Sequence, residues 1–257
     1  YYTDVFEKGL EAGTGKSADA ALYRPASNAQ TYLQALYTVA GQGRPGESAK
    51  IINPGDPSAW TKLHAGYQPF FSDFAKRFNF YDVLLIDTDG NIVYTNAKEV
   101  DLGTNVSTGG YKSTNLSEGF RKAMLAASVD DVIFEDYEEY APSYGAPSPW
   151  VLTPIGDGGG KYGVLALQLS VEEINNVMTG DREWVKDGLG ETGETYLAGP
   201  DRLMRSVSRQ LLVNPQGYLK KVVANGTPEA VAKRQVETGD SVLLQPVNTT
   251  AVNLALS

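Results

Sequence analysis

A chain of 257 residues with 42% apolar side chains is long enough for one large domain or two modest ones, and apolar enough for an ordinary core. A formal charge of -9 without clustered Lys or Arg excludes a surface built for nucleic acid or anionic membranes. The absence of cysteine removes disulfides, thiol nucleophiles and thiolate zinc sites together, and with no run near the roughly 18 apolar residues of a membrane span the chain is expected to be soluble or a piece from between spans.

Residues 1–40 carry apolar side chains at helical spacing in two stretches, Val5, Phe6 and Leu10 and then Tyr32, Leu33, Leu36, Tyr37 and Val39, interrupted by Gly9, Gly13, Gly15 and Pro25. Gly41 to Pro57 reads as a connection, with Asp56 as the cap of a helix that starts at Pro57 and runs to about Phe78. Trp60, Leu63, His64, Tyr67, Phe70, Phe71, Phe74 and Phe78 form an aromatic-rich stripe along that helix, which is expected to pack on a sheet.

Tyr81-Asp-Val-Leu-Leu-Ile-Asp-Thr-Asp-Gly-Asn-Ile-Val-Tyr94 sets two apolar runs on either side of Asp89-Gly90, which predicts a β-hairpin. A polar, Gly-rich crossing with a short helix over Leu116 to Ala127 leads to three more strands, Val132 to Tyr140, Trp150 to Ile155 and Tyr162 to Leu169. A Pro/Ser/Gly loop and the turn Asp157-Gly-Gly-Gly160 separate them. The pattern predicts an α+β fold: a five-stranded antiparallel sheet of order 2-1-5-4-3 with helices on one face, a PAS-like arrangement.

After a linking helix from Glu172 to Met178, Thr195-Tyr-Leu-Ala-Gly-Pro-Asp-Arg-Leu-Met-Arg205 repeats the order strand, turn, strand, as a duplicated module would. Too few residues remain for a full copy. Ser241 to Val247 is a strand candidate and Thr249 to Leu256 the start of a crossing helix, so the second module is expected to stop before its last three strands. The expected division is a helical region over 1–80, a first module over 81–178 and a partial second module over 179–257.

Several motifs imitate chemistry without its context. Gly188-Leu-Gly-Glu-Thr-Gly193 spells a dinucleotide loop but follows a charged segment and precedes a strand, so it reads as a turn. Gly13-Thr-Gly-Lys-Ser17 imitates the end of a P-loop, yet position 10 is leucine and no strand precedes it. His64, the single histidine, lies in the aromatic stripe and reads as a packed, hydrogen-bonded side chain. The acidic run Glu135 to Glu139 alternates faces if it is a strand, with Phe134, Asp136, Glu138 and Tyr140 on one side and Glu135, Tyr137 and Glu139 on the other. A solvated strand edge is the plain reading, and paired carboxylates for glycoside hydrolysis are the alternative. The four Asn-x-Ser/Thr sequons, at Asn105, Asn115, Asn225 and Asn248, are explained by chance. Tyr137, Tyr140, Tyr144 and Trp150 bracket a proline-rich loop and suggest either a pocket wall or plain cover for the sheet.

Read in order, Tyr81-Asp-Val-Leu-Leu-Ile-Asp87, Gly90-Asn-Ile-Val-Tyr-Thr95, Ala97-Lys-Glu-Val-Asp-Leu-Gly103, Gly110-Tyr-Lys-Ser-Thr-Asn-Leu116, Tyr140-Ala-Pro-Ser-Tyr144, Gly163-Val-Leu-Ala-Leu-Gln168 and Gly188 to Asp201 followed by Leu203-Met-Arg-Ser206 resemble a double Cache sensor domain over roughly residues 30 to 210. The resemblance implies the extracytoplasmic, periplasmic part of a bacterial chemoreceptor, sensor histidine kinase or membrane-bound cyclase, set between two membrane spans. It implies a long N-terminal helix, a ligand in the first, membrane-distal module, and no enzymatic activity, metal or cofactor in this segment. The arginine, tryptophan and aspartate pattern by which relatives of this kind hold amino acids is not evident.

The candidate ligand residues are Tyr94, Lys98, Tyr111, Asp136, Tyr137, Tyr140, Ser143 and Trp150. Lys98 is cast to neutralise a carboxylate, Asp136 to hold an amine, and the aromatic residues to form walls and orient polar groups. The expected partners are a small carboxylate or amine, the flanking membrane helices, and a second copy through the N-terminal helix. A hydrolase, or a structural interaction module without a ligand, is the competing reading.

Overall fold

The hairpin forms where the sequence puts it: β1 (Phe80–Asp87) pairs antiparallel with β2 (Ile92–Thr95), and Gly90 takes φ +87° in the turn. The structure is a computed structural model that describes residues 1–41, 46–108, 110–157 and 159–256, so Gly158 of the expected glycine turn lies outside the described residues. Two compact units divide the chain, Tyr1–Ser170 and Val171–Ser257.

In the first unit β3 (Ile133–Tyr140), β4 (Ala146–Asp157) and β5 (Gly160–Leu169) complete an antiparallel sheet of order β2-β1-β5-β4-β3. This is the α+β fold that the sequence pattern and the double Cache resemblance imply. Leu84, Ile86, Leu152, Val164 and Ala166 face one side of the sheet, where α4 (Asn115–Leu125) packs Leu116, Phe120 and Ala123 against them. Thr114 caps α4 by accepting from the Ser117 N–H, and the Lys161 ammonium closes the other end on the carbonyls of Ala123 and Met124 at 3.1 and 2.7 Å.

The N-terminal helix runs through a turn at Tyr2–Phe6 into α1 (Glu7–Thr14) and ends at Gly15, whose φ of +65° suits a left-handed cap. A second helical stretch begins with α2 (Asn28–Leu33) and continues over Gln34–Thr38. Both match the two stretches read from spacing.

Four details differ from the sequence reading. The long helix α3 (Ala59–Arg77) is capped by Ser58, whose hydroxyl accepts from the Thr61 N–H at 3.1 Å, while Asp56 accepts from the Thr61 hydroxyl at 2.6 Å. Strand β4 starts at Ala146, within the segment read as a proline loop, because over 146–149 it pairs with β3 alone and a proline needs no donor on the unpaired side. A bulge between Glu135 and Glu138 breaks the expected alternation of β3, so that Glu135 pairs with Trp150 and Glu138 with Ser148.

The fourth difference concerns the aromatic stripe. Helix α3 buries Thr61, His64, Gln68 and Ala75, whereas Leu63, Tyr67, Phe70 and Phe78 are 58 to 63% exposed. Its inward face must serve polar backbone, and Gln68 donates to the Ala49 carbonyl at 3.0 Å and to the Asn96 side chain at 3.0 Å while accepting from the Tyr94 hydroxyl at 2.7 Å. The stripe is thus divided, with His64 buried, Trp60, Phe71 and Phe74 half-buried, and Leu63, Tyr67, Phe70 and Phe78 turned outward.

In the second unit, α5 (Val171–Thr179) is followed by turns through the glycine-rich segment, where Gly188 and Gly190 adopt φ of +82° and +61°. Leu197 and Gly199 exchange backbone bonds with Arg205 and Leu203, and Leu203 bridges to Pro246, so the expected strand-turn-strand survives as isolated bridges. Between them lie α6 (Arg209–Val213), α7 (Pro215–Ala224) and α8 (Glu229–Thr238), whose Leu211, Tyr218, Val222 and Ala232 form a separate core. The final α9 (Thr250–Ala255) matches the helix expected there.

Two mid-helix glycines make opposite predictions. A Cβ on Gly119 would stand 2.5 Å from Leu152 Cδ1, whereas one on Gly66 would meet nothing within 4 Å. Gly119→Ala is expected to lower the unfolding free energy by about 1–3 kcal/mol through overpacking, and Gly66→Ala to raise it by roughly 0.5–1 kcal/mol, both read from urea denaturation.

Candidate functional site

Asp82 interrupts an otherwise apolar strand, and the sheet register explains its company: Asp82 lies opposite Gln168, Gln168 opposite Trp150, and Trp150 opposite Glu135. Directly opposed residues share a face. The apolar core therefore ends in a row of polar side chains across four strands. Asp82, Gln168 and Trp150 are each 3% exposed or less.

The segment Asn96–Thr104 passes over this end of the sheet and brings charges with it. Asp82 Oδ1 accepts from the backbone N–H of Ala97 at 2.8 Å and of Val83 at 2.7 Å, and Lys98 takes a left-handed backbone with φ +56°. That conformation is uncommon outside glycine and holds here because Thr95 Oγ1 accepts the Lys98 N–H at 2.5 Å. Gln34 clamps the segment from the N-terminal helices by donating to the carbonyls of Val100 and Leu102 at 2.7 and 3.0 Å.

A cavity of about 140 Å³ opens against this segment, lined by Lys98, Glu99, Tyr81, Tyr144, Tyr1 and Asn96 among others. Its size matches that of a ligand with a handful of heavy atoms, since about 150 Å³ accommodates benzene. The Lys98 side chain is 0% exposed and its ammonium donates to the carbonyls of Asn96 at 3.2 Å and Ala49 at 3.5 Å, with no ion pair among the described residues. Beside it the Glu99 carboxylate accepts from the Tyr81 hydroxyl at 2.8 Å and the Ser143 hydroxyl at 2.7 Å. Asp101 Oδ2 accepts from Tyr140 at 2.8 Å.

Burial displaces every titration in the cluster. Desolvation draws Lys98 down to about 7 against the pull of Asp82, and pushes Glu99 up to about 7 and Asp101 up to about 6, with Asp101 adding to the rise in Glu99. Asp82 is raised well above the carboxylate range by desolvation and then by Asp101 and Glu99. Asp82 Oδ2, Asp101 Oδ1, Tyr111 Oη, Trp150 Nε1 and Gln168 Oε1 have no hydrogen-bond partner among the described residues. So many unsatisfied buried polar atoms in one connected region are more than an ordinary core carries.

The candidate residues divide among four places. Lys98 lines the cavity, and Ser143 and Tyr140 hold its carboxylates from behind. Tyr111 and Trp150 belong to the adjoining core, their rings 6.1 and 5.2 Å from that of Tyr140. Tyr94 lies on the other side of the sheet beneath α3, its ring 4.8 Å from Phe71. Asp136 and Tyr137 sit on edge strand β3 and are not among the cavity's lining residues. Tyr81, Asp82, Glu99 and Asp101 escaped the sequence reading, although a charge inside an apolar run and three charges in Lys98-Glu-Val-Asp101 were the signals available.

The acidic run on β3 has structural duties. Glu135 pairs with Lys122 at 2.8 Å, Glu138 accepts the Asn115 N–H at the start of α4 at 2.6 Å, and Glu139 pairs with Lys16 at 2.5 Å. His64 is packed as expected: Nδ1–H donates to the Ile52 carbonyl at 2.9 Å, the ring stacks on Trp60 at 4.8 Å, and desolvation draws its pKa down to about 4.

No protein-family profile matches the chain, and no curated protein matches it. Similar solved structures include the sensor domain of the V. cholerae histidine kinase DctB, 13% identical with a TM-score of 0.34 over 58% of this chain and 56% of that one. This chain thus spans little more than half of that domain's length. The ligand-binding domain of the Campylobacter jejuni chemoreceptor Tlp3, in complex with 4-methylisoleucine, is 10% identical with a TM-score of 0.41 over 89% of this chain and 80% of that one. That of the Pseudomonas fluorescens chemoreceptor CtaA, in complex with L-valine, is 17% identical with a TM-score of 0.40 over 87% and 81%. These structures are sensor or ligand-binding domains of a histidine kinase and of two chemoreceptors.

The displaced titrations fix the shape of a stability profile. Glu99 and Asp101 hold protons more tightly when folded than when unfolded, so stability falls as pH rises from about 4 to about 7. Lys98 holds its proton less tightly when folded, so stability recovers as pH rises from about 7 toward the ordinary lysine value of 10.5. Denaturation midpoints across this range should show a shallower fall for Asp101→Asn and a weaker recovery for Lys98→Met; an unchanged profile in both would show that the cluster does not titrate as described.

Proposed function

We propose that the first unit is the ligand-sensing module of a bacterial transmembrane receptor, and that the Lys98 cavity holds its ligand. The observation that carries this is a lysine with a fully buried side chain, bonded among the described residues to carbonyls alone, on the wall of a polar cavity. A buried ammonium without a carboxylate is costly for the protein alone, and a ligand that completes its coordination lowers that cost. Glu99, Tyr81 and Tyr144 supply further polar contacts on the same wall, which suits a small polar molecule bearing a carboxylate or an amine.

The route to the membrane follows from what touches the same segment. Val100, next to Glu99, packs with Phe6 and Leu10 of the N-terminal helix, and Tyr1 itself lines the cavity. A ligand that prefers one position of residues 96–104 therefore biases the helix that leads toward a membrane span. About 1–3 kcal/mol of coupling is enough for a receptor response. Among the described residues no helix is long and apolar enough to cross a membrane, so the spans belong to flanking sequence in this reading.

The test is calorimetry with a panel of small carboxylates, amines and sugars. Lys98→Ala and Glu99→Gln are each expected to weaken a binding member by at least about tenfold, the scale of one lost charge-assisted hydrogen bond. Asp136→Ala on the edge strand should leave affinity within about twofold. Loss of affinity in the edge-strand variant with retention in Lys98→Ala would move the site to the β3 aromatic loop and sink the proposed cavity.

A further inference from the structure

Asn96 stands in the wall between two hollows of the first unit. It is 8% exposed, and it lines both the 140 Å³ cavity beside Lys98 and a groove of about 440 Å³ bordered by Gln68 and Ser72. The network beneath α3 dictates which way its amide points. A carbonyl only accepts, so the Gln68 atom 3.0 Å from the Ala49 carbonyl is the nitrogen Nε2, and the Gln68 oxygen takes the Tyr94 hydroxyl at 2.7 Å. The same Nε2 lies 3.0 Å from the Asn96 side chain, which must offer Oδ1 there, and the Ser72 hydroxyl donates to that oxygen at 2.8 Å. Gln68 and Ser72 border the groove and are not among the residues lining the cavity, so the oxygen is turned to the groove and Nδ2, on the other branch of the amide, to the cavity. Asn96 Nδ2 has no hydrogen-bond partner among the described residues.

Lys98 brings a second donor to the same spot. Its ammonium rests 3.2 Å from the Asn96 carbonyl, and its two carbonyl partners leave one of three N–H groups unspent. Glu99, the carboxylate on this wall, takes the Tyr81 and Ser143 hydroxyls instead of pairing with either donor. We propose that Asn96 sets the polarity of the ligand: its Nδ2–H and the Lys98 ammonium bind one carboxylate together. Lys98 alone is a point charge that attracts an anion without orienting it, and the Asn96 amide fixes the second oxygen. The inference rests on the Lys98 cavity being the ligand site and adds a selection rule to it. A pair of donors accepts a carboxylate and rejects the matching amide, whose own N–H groups would meet donors.

Calorimetry on the 257-residue chain with acetate, L-lactate and L-alanine, each beside its own amide, tests this. At least one carboxylate is expected to bind about tenfold or more tightly than its amide, the scale of one charge-assisted hydrogen bond. Asn96→Asp keeps the oxygen that α3 holds and sets a second oxygen where Nδ2 stood. It should lower carboxylate affinity about tenfold or more, by like-charge repulsion, and leave the amide within about threefold. Ser72→Ala touches Asn96 only at its oxygen and should leave the preference intact. Circular dichroism melts establish that each variant is folded, and Asn96→Ala, expected to lose the preference as well, decides the matter if Asn96→Asp does not fold. An undiminished preference in a folded Asn96 variant, with affinity lost in Lys98→Ala, would overturn the role of Asn96 and leave the cavity standing. Equal affinity for carboxylates and amides in the unaltered chain would overturn that role too. Failure of all six compounds to bind, or binding indifferent to Lys98→Ala, would overturn the cavity with it.

Discussion

The first unit depends on one constraint: residues 96–104 carry three charged side chains across the end of an apolar sheet, and each must be satisfied from within the protein. Asp82 accepts two backbone N–H groups, Glu99 two hydroxyls and Asp101 one, while Lys98 finds only carbonyls. An unpaired buried charge costs several kcal/mol. Much of the surrounding architecture answers this requirement. The turn after β3 delivers Ser143 and Tyr140, the bulge at the start of β1 turns Tyr81 toward Glu99, and Gln34 reaches in from the N-terminal helices to hold the segment down.

The same requirement explains why α3 turns a polar side inward. Edge strand β2 and the start of the crossing leave backbone and amide groups beneath this helix, and a purely apolar face would strand them. Gln68 answers with bonds to Ala49, Asn96, Ser72 and Tyr94, and the Trp60 indole N–H donates to the Val93 carbonyl at 3.1 Å on the sheet edge. Once the inner face is committed in this way, the remaining aromatic residues have only the outer face to occupy.

The sheet was legible because its signals are local. A turn at Asp89-Gly90, strand-length apolar runs and the glycines between them specify strands, and their succession leaves few topologies. The long helix was equally clear in extent, but hydrophobic spacing reports a helix and not which side of it faces the core. The bulge in β3 was invisible for a related reason: one extra residue reverses the alternation beyond it, and nothing in Glu135-Asp-Tyr-Glu-Glu139 marks where it is inserted. Of the site, Lys98, Tyr140 and Ser143 were found by residue type near a loop, whereas Asp82 and Asp101 were passed over because a carboxylate inside a strand or a crossing is ordinarily solvated. In the second unit, α6 to α8 were hidden because the strand-turn-strand order at Thr195–Arg205 points to further strands and not to the helices that follow.

The proposed ligand site and the long helix meet at Gln68. The inner face of α3 touches Asn96 and Ala49, the residues whose carbonyls hold the Lys98 ammonium. In the proposed reading, a ligand that drew Lys98 away would leave the Ala49 carbonyl to Gln68 alone, and so would bear on the position of α3. Reciprocity then follows from thermodynamics: whatever factor a ligand applied to the equilibrium between two positions of α3, holding α3 in one of them would apply to ligand affinity. A receptor of the proposed kind would need no large movement in the sheet, because Gln68 ties α3 to the same two residues whose carbonyls hold the Lys98 ammonium.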